Sequence, residues 1–213
     1  MQAQAPLLIT GFEPFDGDSI NSSWLLAQAL ADSPLQGCAV VARQLPVSFG
    51  RSLAALTEAV QQVRPQLVLA MGQAANRDVL SFERVALNLI DARIPDNDGV
   101  QPIDSPVVPR SPSAYFSTLP LKTMVRAAQA VGVPAELSLT AGSYVCNQVF
   151  YGLQHRLRRN AAVRSGFLHV PALSGPQPPL RLEVMVAGVR AALTAALNTP
   201  DGADLALSAG FES

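Results

Sequence analysis

Short apolar runs that alternate with longer helical patterns constrain the fold of this chain more than any other feature of its sequence. Two of these runs are 7–10 and 67–71, and the second is bounded by Pro65 and Gly72. Both are apolar along their length rather than polar at every second position, which is typical of strands buried on both faces of a parallel sheet. The sequence therefore predicts an α/β/α layered domain, a three-layer sandwich around a largely parallel sheet.

The segments between these runs have helical spacing and recognisable starts. Asn21 or Ser22 can cap a helix that continues to about Leu30, and Ser48 can cap a second helix that stops before Pro65. Further strands are predicted at 38–45, 82–89, 136–140 and 166–170, and further helices at 121–131, from about 144, and at 180–197.

One long stretch has neither pattern. Residues 91–120 are rich in Pro, Asp, Asn, Gly and Ser, which predicts a long loop with room for a small hairpin. Loops of this length in a compact domain are often functional or mobile. We find no linker or internal repeat, so we expect one domain over 1–213, with 199–213 as a poorly ordered tail.

Composition and charge exclude several classes of protein. Hydrophobic residues make up 49% of the chain and charged residues 15%, which is too apolar for a disordered protein. The formal net charge of -1 provides no basic face for nucleic acid. We expect no membrane span and no signal peptide, because no apolar stretch has the necessary length and the N-terminus lacks a basic segment. With Cys38 and Cys146 as the only cysteines, we predict reduced thiols and a cytoplasmic location.

Cys146 is the strongest candidate for a nucleophile. It follows a predicted strand and the turn at 141–143, in the first turn of a helix whose apolar stripe includes Val149 and Leu153. The helix dipole and the unpaired N–H groups of a first turn both lower a thiol pKa and can bind an oxyanion. The alternative, a small buried core residue, stays open on this evidence alone.

Only two histidines can serve as its base. His155 lies on the same helix, about 13 Å along the axis from Cys146, and cannot reach the thiol. His169 ends the strand predicted at 166–170, and the carboxyl ends of parallel strands share an edge with the helix starts that follow them. We therefore favour His169, with a hydrogen-bonded structural histidine as the alternative, and interpret Cys38 as a core residue.

A third group is needed to orient the imidazole, and Glu83 is the leading candidate. It is an acid within an apolar segment, so burial would require a polar partner. Arg84 is a poor partner because adjacent strand residues point to opposite faces of a sheet. A metal is not expected, since two distant histidines and no paired His/Cys spacing provide no ligand cluster.

Several segments together resemble the pyroglutamyl peptidase I family, also called pyrrolidone-carboxylate peptidases, in order and spacing over about 7–175. The segments are Thr10-Gly-Phe-Glu-Pro-Phe-Asp-Gly17, Glu83-Arg-Val-Ala-Leu-Asn88, Asp91-Ala-Arg-Ile-Pro-Asp-Asn-Asp-Gly99, Ala141-Gly-Ser-Tyr-Val-Cys-Asn147 and Gly166-Phe-Leu-His-Val-Pro171.

The resemblance implies a catalytic triad that falls on Glu83, Cys146 and His169. It also implies removal of an N-terminal pyroglutamyl residue from peptides through a thioester, without a cofactor. The fold it implies is a single α/β/α sandwich around a twisted, partly mixed sheet, and the assembly it implies is a homotetramer.

A pyroglutamyl ring is a flat, neutral lactam, so its pocket needs apolar walls and a few polar groups for the ring amide. We expect Phe12 and Phe15 to wall the ring, with two ordinary core aromatics as the alternative. The other substrate-binding candidates are Asn21, Gln73, Arg93, Ile94, Tyr144 and Val145, with Arg93 near the oxyanion by resemblance.

The chain departs from the family pattern at two places. Ala74-Ala75-Asn76 stands where a more glycine-rich turn is expected, and Ser174-Gly175-Pro176 is unusual. These departures concern substrate preference and subunit contacts rather than the triad. Two other readings stay open here, a binding protein that keeps the pocket without turnover and another enzyme class on a similar sandwich, such as a nucleoside phosphorylase.

Overall fold

A six-stranded sheet forms the centre of the molecule. The computed structural model describes residues 4–174 and 177–208. The strands within these residues are β1 (Leu7–Phe12), β2 (Val40–Leu45), β3 (Leu67–Gln73), β4 (Leu80–Glu83), β5 (Val85–Leu87), β6 (Ala114–Phe116), β7 (Ala135–Ser138) and β8 (Arg164–Val170). The main sheet has the order β2-β1-β3-β8-β4-β7, and β5 pairs with β6 in a separate antiparallel hairpin.

The pairing of β4 with β8 is the one antiparallel contact among the described strands of the main sheet. All other neighbours run parallel. The prediction of a largely parallel, partly mixed sheet is therefore confirmed. The reversed strand brings the carboxyl end of β4 beside the middle of β8, where Glu83 pairs in register with Phe167.

Helices cover both faces of this sheet and complete the three layers. They are α1 (Ser22–Ala31), α2 (Ser52–Val63), α3 (Leu121–Ala130), α4 (Val145–Leu157) and α5 (Leu182–Asn198). Side chains from α1, α3 and α5 pack into one buried cluster, and side chains from α2 and α4 pack into the other. Each fully buried leucine or valine in these clusters stabilises the fold by roughly 1.5–3 kcal/mol.

The two predicted helix caps have different outcomes. Asn21 caps α1 as predicted, since its side chain accepts a hydrogen bond from Ser23 N. The prediction that Ser48 caps the second helix is wrong, because α2 begins only at Ser52. Ser48 Oγ instead accepts from Arg51 N at 3.1 Å, which closes a turn that precedes the helix.

The predicted strand 82–89 is divided in the structure at Arg84. The amide of Arg84 still donates to Ser138 O of β7, whereas its carbonyl accepts from Ser117 N beside β6. The chain therefore leaves the main sheet at this residue and enters the hairpin. Asn147 of α4 holds the departing segment through two hydrogen bonds to the backbone of Leu87, of 2.9 and 2.8 Å.

The long loop at 91–120 contains the small hairpin strand β6 and folds around one buried carboxylate. Asp96 is 6% exposed and accepts hydrogen bonds from the amides of Phe49, Asp98 and Val100. A negative charge at this depth is stabilised because several N–H groups replace its water.

Residues 199–208 have no helix or strand, yet Asp204 accepts hydrogen bonds from the amides of Lys122 and Thr123 at the start of α3. The rest of the predicted poorly ordered tail, 209–213, lies outside the described residues. No described helix is both long enough and apolar enough to cross a bilayer.

Candidate active site

Cys146 lies in the first turn of α4, as predicted. The strand β7 ends at Ser138, Gly142 turns the chain with a φ of +76°, and the helix begins at Val145 with Tyr144 as its N-cap. Tyr144 makes no capping hydrogen bond through its side chain. Because the first N–H groups of a helix lack intrahelical acceptors, the amide of Cys146 can donate to its own thiol.

Gly72 lets the thiol approach the sheet. A Cβ atom at this position would lie 2.6 Å from Cys146 Sγ and 3.0 Å from Phe167 Cζ, so no side chain fits without displacing the sulfur. Gly72 is also the register partner of His169 in the parallel pair of β3 and β8. Cys146 Sγ therefore lies against the same glycine that pairs in register with His169.

His169 and Glu83 form a buried pair. Their Nδ1 and Oε1 atoms are 2.8 Å apart, with His169 5% exposed and Glu83 fully buried. A carboxylate can only accept, so Nδ1 carries the shared proton and Nε2 is left as the basic nitrogen of the ring. The structure shows no hydrogen bond between Cys146 Sγ and His169, both of which it describes; such contacts often tighten only when substrate binds.

The thiol is in a costly environment for a negative charge. Burial, and after it the nearby Glu83 carboxylate, raise the pKa of Cys146 to about 12. Arg77 and the residue's own backbone N–H lower this pKa. The thiolate is therefore stable only if a cation forms beside it, and the imidazolium of His169 is the group that could provide that charge.

Arg77 was not among the sequence candidates. Its Nη2 atom lies 3.1 Å from Glu83 Oε1, on the same oxygen that His169 contacts. The available signal was its position, six residues before a carboxylate that was expected to be buried. Arg77 lies in the loop between β3 and β4, and loop arginines usually have a surface role.

Three aromatic rings surround the start of α4. Tyr144 packs against Phe15, with ring centroids 5.4 Å apart, and against Phe49, with centroids 5.1 Å apart. The Tyr144 hydroxyl donates to Pro95 O at 2.9 Å. Phe49 was not among the residues predicted from the sequence. Phe12 lies at the end of β1, is 2% exposed, and belongs to the core cluster of α2 and α4.

The polar candidates Asn21 and Gln73 have protein partners. Asn21 Nδ2 donates to Glu13 O. Gln73 Oε1 accepts from Ser22 N at 2.8 Å, and its Nε2 donates to Asp18 Oδ2 at 2.8 Å. These bonds hold the segment after β1 against the end of β3, and the roles of both residues toward substrate stay predictions.

The remaining candidates lie around the junction of 91–95 with α4. Asp91 N donates to Ser143 O, and Ser143 Oγ donates to Asp91 O, so the segment is fixed beside the helix start. Arg93 is exposed and Ile94 is half-buried on this segment, whereas Val145 is buried at the first position of α4. Across the described part of the chain, no three His, Cys, Asp or Glu residues are grouped as metal ligands would be.

Comparison with known proteins gives one consistent family. A family model described as pyroglutamyl peptidase matches residues 5–199. A pyrrolidone-carboxylate peptidase of Cupriavidus taiwanensis is 51% identical over 201 residues, which cover 91% of this chain and 93% of the relative. One from Escherichia fergusonii is 55% identical over 167 residues, 78% of each chain.

Solved structures agree with the sequence relatives. The crystal structure of the pyroglutamyl peptidase I from Bacillus amyloliquefaciens has a TM-score of 0.90 at 36% identity, and the match covers 96% of this chain and 100% of that chain. The pyrrolidone carboxyl peptidase from Thermococcus litoralis has a TM-score of 0.86 at 34% identity, with 92% and 94% of the two chains covered.

Proposed function

Because the chain belongs to the pyroglutamyl peptidase family, we propose that it removes an N-terminal pyroglutamyl residue from peptides, with Cys146 as the nucleophile. The observation that carries this proposal is the arrangement around Gly72. Cys146 Sγ lies against Gly72 of β3. His169 is the register partner of Gly72 on β8, and it is hydrogen-bonded to Glu83 at 2.8 Å. This arrangement supports a nucleophile, a base and an orienting carboxylate.

In the first half of the reaction, His169 Nε2 takes the proton of the Cys146 thiol. The sulfur then attacks the carbonyl carbon of the pyroglutamyl residue, and the carbonyl oxygen becomes an oxyanion. The Cys146 N–H is the donor that the helix start offers to this oxygen. Collapse of the adduct breaks the C–N bond, and the imidazolium gives its proton to the leaving amine.

In the second half, the acyl group is held on Cys146 as a thioester. His169 removes a proton from water, and the resulting hydroxide attacks the thioester carbonyl. The C–S bond then breaks, which releases pyroglutamic acid and the Cys146 thiolate, and the imidazolium returns its proton to the sulfur. Throughout, Glu83 keeps Nδ1 protonated and compensates the positive charge that forms on the ring in each half.

The rings near the helix start suggest how the substrate is recognised. Phe15 and Tyr144 present aromatic surface beside Cys146, and we propose that the lactam ring packs there. The segment that carries Arg93 and Ile94 is fixed to Ser143 and would close one side of this pocket. Free backbone groups at the start of α4 are then the polar partners for the lactam amide.

We expect the protein to cleave a pyroglutamyl amide and to reject the matching prolyl amide by about 10⁴-fold in kcat/KM. Proline lacks the ring carbonyl and carries a charge on its nitrogen, so polar groups built for the lactam are left unpaired. The measurement is release of a chromophore from both amides at several substrate concentrations, with and without added phosphate. Equal rates on the two amides, or a requirement for phosphate, would contradict the proposal.

We further propose that the chain works in the cytoplasm as a homotetramer of single-domain subunits, each spanning 1–213. A reducing compartment suits a thiol nucleophile, and both Cys38 and Cys146 are free. Apolar side chains such as Phe116 and Ile103, 66% and 63% exposed, are of the kind that subunit contacts cover. Light scattering of the purified protein should give four times the 22.4 kDa of one chain; a monomer would refute the assembly.

A further inference from the structure

Arg77 contacts the buried acid of the site from the loop between β3 and β4. Its Nη2 atom is 3.1 Å from Glu83 Oε1 and also donates to Thr140 O at 3.0 Å. Its Nη1 atom is 3.6 Å from Glu136 Oε1, on the outer strand β7. The side chain of Arg77 is 20% exposed, so the guanidinium lies between the solvent and the triad. A carbonyl and a second carboxylate therefore help to hold the guanidinium beside Glu83.

Glu83 needs this cation more than a surface acid would. Its side chain is fully buried, and its Oε2 atom has no hydrogen-bond partner in the described structure. Both of the contacts that compensate its charge, from His169 and from Arg77, converge on Oε1. Breaking a buried pair by removing one partner is costly because a charge is left uncompensated. With neutral His169 as its remaining contact, the carboxylate would lose its main electrostatic support.

The guanidinium also acts on the electrostatics of the nucleophile. The Glu83 carboxylate raises the pKa of the Cys146 thiol, and Arg77 lowers it. The titratable groups that face this thiol are Glu83 of β4, His169 of β8, Arg77, and Tyr144 at the start of α4, whose own pKa burial raises. Arg77 thus offsets the cost of keeping an acid close to a thiolate.

We propose that Arg77 is a positioning residue for the reaction, holding the Glu83 carboxylate fixed on His169 Nδ1. It acts through Glu83 and does not touch the substrate. This role rests on the proposed function, in which Glu83 orients the base.

The test compares Arg77→Met with Arg77→Lys, and uses Arg84→Met as the matched control. Arg84 is the neighbour of Glu83 in sequence, but its side chain is exposed. Arg77→Met should lower kcat/KM by about 10- to 100-fold while KM changes by less than about twofold. Arg77→Lys, which keeps the charge without the planar fork, should recover part of that loss, and Arg84→Met should leave kcat/KM unchanged.

A second readout does not depend on peptidase activity. In a Cys38→Ser background, the rate of Cys146 alkylation by iodoacetamide is followed against pH. Arg77→Met should move this curve to higher pH, seen as an about 10-fold lower alkylation rate at a fixed pH below the thiol pKa, since a cation near the thiolate is lost. Arg77→Lys should move it less. If the wild type shows no peptidase activity, the proposed function is wrong. The alkylation curve would still show whether Arg77 stabilises the Cys146 thiolate.

A double-mutant cycle separates a positioning role from a purely structural one. Glu83→Gln removes the charge that Arg77 is proposed to hold, so adding Arg77→Met to it should lower kcat/KM by less than about twofold. The double variant also avoids an unpaired buried carboxylate, which keeps the test usable if Arg77→Met does not fold. Equal losses in the wild-type and Glu83→Gln backgrounds, or an alkylation rate that Arg77→Met leaves unchanged, would overturn the proposal.

Discussion

Replacement of Cys146 by serine is expected to lower kcat/KM for a pyroglutamyl amide by about 10⁶-fold, because the covalent route is lost. A hydroxyl is far less acidic than a thiol, and the same burial that raises the thiol pKa to about 12 would oppose an alkoxide even more strongly. The serine fits the space over Gly72, so the fold should be unchanged. The measurement is the initial rate of chromophore release at substrate concentrations well below KM.

Cys38→Ser is the matched control for this experiment. Cys38 is 2% exposed, and its sulfur contacts the side chains of Gln4 and Gln66 away from the triad. Its serine variant should keep the wild-type rate. Full activity in the Cys146 variant, or loss of activity in the Cys38 variant alone, would show that the nucleophile has been assigned to the wrong residue.

Replacement of His169 by alanine is expected to cause a loss of similar size, about 10⁶-fold, since nucleophile and base act as one unit. Without the imidazole, nothing in the proposed chemistry accepts the thiol proton or returns it to the leaving amine. The pH dependence should change in a defined direction. Burial and the Glu83 carboxylate already raise the pKa of the Cys146 thiol, so without a basic nitrogen to accept its proton, alkylation of Cys146 at neutral pH should be slower in the variant than in the wild type.

His155→Ala is the control for the second experiment. This histidine is bonded to the Tyr115 hydroxyl at 3.1 Å through its Nδ1 atom, and its replacement should leave the rate near that of the wild type. Glu83→Gln tests the third member in the same assay. If Glu83→Gln keeps the full rate while His169→Ala is inactive, then Glu83 does not orient the base.

The sequence predicted the layers of this fold because its strands are apolar along their whole length. It also predicted that Cys146 lies in the first turn of α4 and that His169 lies near the end of a strand. It did not predict that the chain leaves the main sheet at Arg84, because strand propensity does not distinguish one strand from two that pair with different partners. The helix cap predicted at Ser48 was wrong because a serine that closes a turn before a helix has the same sequence pattern as one that caps it.

The contacts around the site were harder to foresee than its chemistry. Arg77 lies in a loop, and only the tertiary structure brings its guanidinium to the same Glu83 oxygen that His169 contacts. Phe49 contacts Tyr144 from the segment between β2 and α2, which is distant in sequence, so no local pattern predicts the contact. Gly72 is an ordinary strand end in sequence, and the thiol that forbids a side chain there comes from a helix 74 positions later.

The order of the sheet has a consequence for how the chain is made. Strand β8 is the last strand to leave the ribosome, yet it lies between β3 and β4 at the centre of the sheet. Until residues 164–170 are available, β2-β1-β3 and β4-β7 can exist only as two separate pieces, each with an unpaired edge that could associate with another chain. The strand that joins the pieces also carries His169. Catalytic competence would therefore arrive in the same step that closes the two aggregation-prone edges, so a partly folded nascent chain would lack its proposed base.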